Sequence, residues 1–181
     1  GEEGGWRWSL RLAGFGYEER VQPLAAQAQM TADGNQVKYE HAGVTEWYIN
    51  DGRGLEQGFS LDTPPPAGGA GQALLLEMAL DTGLVPAISD DGQRIDFVQP
   101  GGGAVLRYAD LYVADAAGRE IPAQLSLSPG RISIRIDDTG AAYPLLVDPV
   151  IATPDWITQG DQVGAAFGTS VATAGDLNGD G

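Results

Sequence analysis

Residues Arg131 to Ile136 read RISIRI, three isoleucines alternating with two arginines and a serine. Side chains of a β-strand point to opposite faces in turn, so this segment has one dry face and one wet face. A sheet that is wet on one side is antiparallel behaviour, because parallel sheets are covered on both sides. The same period of two recurs along the chain. Trp6, Trp8, Leu10 and Leu12 alternate with Arg7, Ser9 and Arg11, and Val37, Tyr39 and His41 alternate with Lys38 and Glu40. Residues 44–49 form a β-branched and aromatic run, and residues 94–98, 105–113, 121–127 and 145–151 continue the series. Residues 73–80 are apolar enough for two helical turns, but their short length and Gly/Pro flanks predict a strand.

Turn chemistry separates these runs. Ala32-Asp33-Gly34-Asn35, Asn50-Asp51-Gly52, Asp90-Asp91-Gly92, Ala117-Gly118 and Pro129-Gly130 all supply residues that bend the backbone. Thr63-Pro64-Pro65-Pro66 and the glycine-rich stretch 68–71 form a loop. With 27 glycines and 11 prolines, the chain is punctuated too often for long helices, and no segment passes the tests of cap, periodicity and length. Short strands at this spacing predict an all-β, antiparallel, sandwich-like domain. Pro149, Pro154 and Gly160 mark a linker, which divides the chain into a β-rich domain over residues 1–152 and a second unit over 153–181.

The formal net charge is -15, which disfavours nucleic acid and anionic membrane as partners, since both are bound through Lys and Arg. It favours divalent cations and solubility. With no cysteine there is no disulfide, thiolate metal site or cysteine nucleophile. No apolar run approaches the roughly 18–20 residues of a spanning helix, so membrane insertion is not expected.

The tail carries the strongest motif. Gly164 to Gly181 reads GAAFGTSVATAGDLNGDG. Asp176, Asn178 and Asp180 alternate, so in a tight loop their oxygens can converge on one hard cation. Calcium takes about 6–8 oxygens at roughly 2.3–2.6 Å. An EF-hand shares this loop start but needs an entering helix, and Val171-Ala172-Thr173-Ala174-Gly175 is a poor one. The plain alternative is an Asx-rich turn with no ion. The Phe167-Gly168 pair followed by Asp-x-Asn-x-Asp-Gly resembles the FG-GAP repeat, which builds the blades of integrin-α-type β-propellers and of many bacterial surface proteins. The resemblance implies that residues 153–181 are a linker and the start of a propeller blade. It also implies that Asp176, Asn178 and Asp180 are calcium ligands and that Gly181 lets the loop turn. The chain stops inside that loop, so the site is expected to be incomplete here.

Two upstream stretches, Gly43-Val44-Thr45-Glu46-Trp47-Tyr48-Ile49-Asn50 and Ala142-Tyr143-Pro144-Leu145-Leu146-Val147-Asp148-Pro149, resemble an uncharacterised β-rich module that precedes FG-GAP repeats in large bacterial exported proteins. That module implies architecture and no chemistry. The resemblances together imply a non-catalytic, calcium-stabilised module, secreted or on the cell surface of a bacterium. Its role would be adhesive or structural, with an extracellular protein or glycan as partner. The runner-up is a glycan-binding or glycan-active β-sandwich. In it Glu46 and Glu56 are paired carboxylates, and Trp47 and Tyr48 form a sugar platform. Such enzymes place their two carboxyls roughly 5–10 Å apart across one cleft. Against it, both aromatics can simply be packing residues. His41, the only histidine, continues the pattern of Val37 and Tyr39 and reads as a half-buried strand residue. Trp6 and Trp8 share a strand face and read as core.

Overall fold

The computed structural model describes residues 6–24, 28–51, 54–66 and 71–152. Among them run thirteen strands and no helix. In chain order the first six are β1 (Trp8–Tyr17), β2 (Gln22–Pro23), β3 (Gln29–Asp33), β4 (Gln36–His41), β5 (Val44–Asp51) and β6 (Gly54–Leu61). Then come β7 (Leu74–Thr82), β8 (Val85–Ile88), β9 (Ile95–Val98) and β10 (Ala104–Ala114). The last three are β11 (Ala123–Ser128), β12 (Arg131–Ile136) and β13 (Leu145–Ala152). They form a five-stranded sheet, β11-β12-β7-β1-β2, and an eight-stranded sheet, β3-β4-β5-β6-β13-β10-β9-β8. The pairings are antiparallel and neither sheet closes on itself into a barrel.

β12 sets the logic of the smaller sheet. Ile132, Ile134 and Ile136 are fully buried and pair with Met78, Leu76 and Leu74 of β7, which are equally buried. Arg131 and Arg135 turn to solvent and form ion pairs with Glu77 and Glu18. Exposed ion pairs contribute about 0–1 kcal/mol, whereas burying one such aliphatic side chain contributes about 1.5–3 kcal/mol. The isoleucines therefore fix the face and the arginines keep it soluble.

The larger sheet supplies Phe59, Leu61, Ile95, Phe97, Tyr108 and Val147 to the same core. Two contacts span the layers. Trp8 of β1 meets Phe97 of β9 edge-on, with ring centroids 5.7 Å apart. The Tyr108 hydroxyl of β10 lies 3.5 Å from Met78 Sδ of β7.

Pro149 sits inside β13, a central strand, where it cannot donate to the ladder. The partner strand absorbs this with a bulge. Register slips between Ala109 and Tyr112 of β10, and Asp110 adopts a left-handed φ of 55°. Two residues on β10 thus face one on β13, opposite the proline.

The sequence expectation for the first tryptophan is corrected. β1 begins at Trp8, and Trp6 is 43% exposed ahead of it, so only Trp8 packs on the core. Alternation alone cannot tell a residue inside a strand from one on the chain leading into it. The propeller-blade unit of residues 153–181 lies outside the described residues.

Candidate functional site

Alternation along β4 and β5 gives their shared ribbon an inner and an outer face. Register pairs His41 with Val44, Tyr39 with Glu46, and Val37 with Tyr48. These six side chains face inward, while Lys38, Thr45, Trp47 and Ile49 face outward. β6 continues the inner face through Gln57 and Phe59, which pair with Tyr48 and Glu46.

At the centre lies a buried carboxylate. Glu46 is 5% exposed. Its Oε1 accepts hydrogen bonds from the Tyr48 hydroxyl at 2.7 Å and from Gln57 Nε2 at 2.8 Å. Gln57 Nε2 also reaches the Tyr48 oxygen at 3.0 Å. Fully buried Gln57 is held from its other end, where Oε1 accepts the Tyr108 hydroxyl at 3.2 Å. Burial, reinforced by the charge and hydrogen bond of Glu46, pushes the Tyr48 phenol far up. Burial does the same to Tyr108, with the charged or ionisable neighbours Tyr48 and Glu46 adding to it. Both phenols are thereby held as protonated donors. They can orient a carboxylate but cannot serve as bases near neutrality.

A cleft of about 770 Å³ opens beside this group. One wall is Tyr39, His41, Glu46 and Tyr48, and the other is Leu10, Arg11, Leu12 and Ala13 of β1 with Leu24 and Ala28. The cleft therefore lies between the two sheets. Among the described residues, it forms at the edge of the smaller sheet, where β2 contributes only two residues beyond β1. Tyr39 and Tyr48 meet edge-on, with centroids 6.2 Å apart and planes at 89°, so their rings make a corner. His41 Nδ1 is buried without a hydrogen-bond partner.

Two other polar groups act as clamps. Asp115 Oδ1 accepts the backbone N–H of Ala117 and of Arg119, each at 2.9 Å. Its Oδ2 accepts Arg119 Nε and the Ala142 N–H, each at 3.2 Å. These bonds, with the Arg119 N–H foremost, hold the carboxyl below its usual range. Asp138 Oδ2 accepts two phenols, Tyr17 at 2.9 Å and Tyr143 at 2.6 Å, and so ties the end of β1 to the segment before β13.

The paired-carboxylate reading is corrected. In the β5–β6 register Glu56 pairs with Ile49, whereas Glu46 pairs with Phe59. Glu46 therefore faces the core, and Glu56 lies on the opposite face of the same sheet. No one cleft can be flanked by both. The aromatic platform fails for the same reason, since Trp47 and Tyr48 are consecutive in a strand and point apart. Trp47 is itself buried, with its indole over Gly58. His41 does occupy β4 as a half-buried residue. Asp176, Asn178 and Asp180 lie outside the described residues. Among the described residues, no three His, Asp or Glu side chains gather into a group able to hold a metal ion. Sequence reasoning missed Gln57 and Tyr108. A glutamine inside a strand rich in apolar neighbours was the signal available, because such a residue needs buried partners.

Comparison with known proteins gives no match to a family model, to a curated protein or to a solved structure.

Proposed function

We propose that this chain is a non-catalytic β-sandwich module of an FG-GAP repeat protein, secreted or on a bacterial cell surface, with an adhesive or structural role. The observation that carries it is the tail, where Phe167-Gly168 is followed by Asp176, Asn178, Asp180 and Gly181 in the order of the repeat's calcium loop. In this reading the ion orders backbone between neighbouring strands and performs no chemistry of its own. The buried polar groups of the sandwich fit a structural role. Glu46, Tyr48, Gln57 and Tyr108 direct their hydrogen bonds at one another, and Asp115 and Asp138 direct theirs at loops.

The test is calcium linkage. A ligand that binds only the folded state raises its melting temperature by mass action. For a polypeptide carrying this loop with the residues that follow it in the repeat, saturating calcium should raise the melting temperature, and a chelator should reverse the rise. Asp176→Ala and Asp180→Ala should each abolish the response. Equal melting temperatures with calcium and with chelator would count against the reading.

A further inference from the structure

We propose that β3 pairs with β3 of a second copy of this chain, antiparallel about Thr31, so that two eight-stranded sheets join into one. This goes beyond the module reading and does not depend on the tail.

The sheet edges carry the inference. An edge strand presents unpaired N–H and C=O groups, and proteins blunt such edges with proline, short length, bulges, charge or a covering loop. Among the described residues the two sheets end in β2, β11, β8 and β3. β2 has two residues, and one is Pro23. β8 has four and carries Pro86. A loop covers β11, where the Leu125 N–H donates to Gly92 O at 2.7 Å and Gln93 Nε2 donates to Ala123 O at 3.0 Å. Among the described residues β3 has none of these devices. It reads Gln29-Met30-Thr31-Ala32-Asp33, five exposed residues in unbroken register with β4, and its one charge stands at the end.

The geometry of this edge selects its occupant. Asp33 and Gln36 close a two-residue turn, so Asp33, Thr31 and Gln29 direct their backbone groups at β4. Met30 and Ala32 direct theirs outward. A second β3 laid antiparallel about Thr31 sets Met30 opposite the partner's Ala32, and the reverse, and both pairs exchange N–H···O bonds. Thr31 then faces the partner's Thr31 as a non-hydrogen-bonded pair. The side chains match as well. On the outer face the Gln29 amide meets the carboxylate of the partner's Asp33, twice by symmetry, so no like charges stand opposite. On the other face two methionines and two alanines form one apolar patch. Met30 is 61% exposed and pairs with Tyr39 of β4. Five residues of strand fall well short of the roughly 20–30 residues a side of a stable interface, so the pairing is transient and concentration-dependent.

The test is the mass of the full chain by sedimentation at rising concentration, where a monomer–dimer equilibrium is expected. Each copy carries a net charge of -15, so association should tighten between about 0.05 and 0.5 M salt. Ala32→Pro removes an outward N–H and spares the β3–β4 ladder. Symmetry doubles the loss to two hydrogen bonds, and dimerisation should weaken about tenfold or more. Thr31→Lys sets two ammonium groups against each other at the two-fold axis and should weaken it several-fold. Either variant counts only with a wild-type circular dichroism spectrum, and the other stands in if one fails to fold. The chain has no cysteine, so a single one reports the register. Across a non-hydrogen-bonded pair the Cα atoms lie about 4.5 Å apart, within disulfide reach, whereas diagonal neighbours at about 7–8 Å are beyond it. On oxidation Thr31→Cys should cross-link and Met30→Cys should not. A monomeric mass at every concentration, as when another segment of the same chain covers this edge, would overturn the proposal. So would undiminished association of the folded variants, or equal cross-linking at positions 30 and 31.

Discussion

The indole of Trp47 occupies the space that any side chain on Gly58 would need. The two residues pair directly across β5 and β6, and a Cβ built on Gly58 would lie 1.9 Å from Trp47 Cζ2. Glycine here is a packing requirement, set by a ring that is itself buried. Gly58→Ala must expel the indole or part the strands. Overpacking of this kind costs about 1–3 kcal/mol or more, and chemical denaturation should show a loss in that range. Trp47→Leu should recover much of it in the double variant, and additive losses would mean the two residues do not share this space.

The buried network gives a second test. Tyr108→Phe removes the donor to Gln57 Oε1 and leaves that oxygen buried. An orphaned buried acceptor costs about 1–3 kcal/mol. Tyr112→Phe, at an exposed position on the same strand, should cost almost nothing. Equal effects of the two would show that the hydroxyl of Tyr108 contributes little.

At acid pH the Asp115 clamp should fail in a defined direction. Its native pKa lies below the ordinary carboxylate value, mainly through the Arg119 N–H. The unfolded chain therefore holds the proton more tightly. The stabilisation is complete above about pH 4, the unfolded value, and is lost as pH falls through the lower native one. Asp115→Asn should flatten the acid limb of the melting-temperature profile. An unchanged limb would remove Asp115 from the account.

At alkaline pH the sign reverses. Tyr17, Tyr48, Tyr108 and Tyr143 all have raised native pKa values, with burial the leading cause in each. Their contribution is complete below about pH 10, where unfolded tyrosines begin to ionise, and is lost as pH rises through the native values. Tyrosinate absorbance should therefore appear at higher pH in the folded protein than in urea. Coincident titrations would show that these phenols are not shielded.

On β12 the two faces should answer differently to mutation. Ile134→Ala should cost about 2–5 kcal/mol, since it empties a fully buried site. Arg131→Ala should cost at most about 1 kcal/mol, because its ion pair with Glu77 stands at the surface. Similar losses at the two positions would contradict the assignment of dry and wet faces.

β12, β7 and β13 were legible in the sequence because each has a face of aliphatic residues long enough to show its period. β3 was not, since all five of its residues are exposed and an edge strand has no buried face to leave a pattern. β8 was hidden by Pro86 and its length of four residues. The site was legible one residue at a time. Glu46, Tyr48 and His41 each drew notice, but Tyr108 is 51 residues from Gln57, and no local pattern encodes that meeting. The misreading of Glu46 and Glu56 was avoidable in principle. The turn signal Asn50-Asp51-Gly52 in the sequence predicts a hairpin of β5 and β6, and hairpin register fixes which residues share a face.

Among the described residues, the two sheets differ by three strands. Among these residues, layers of unequal width leave part of the wider sheet beyond the strands of the narrower one. Here the shortfall falls over Tyr39, His41, Glu46 and Tyr48, beside the two-residue β2. The recess is thus a by-product of strand inventory rather than something carved from the core. Its depth should be adjustable by lengthening or shortening one marginal strand, while the isoleucine-rich interior stays untouched.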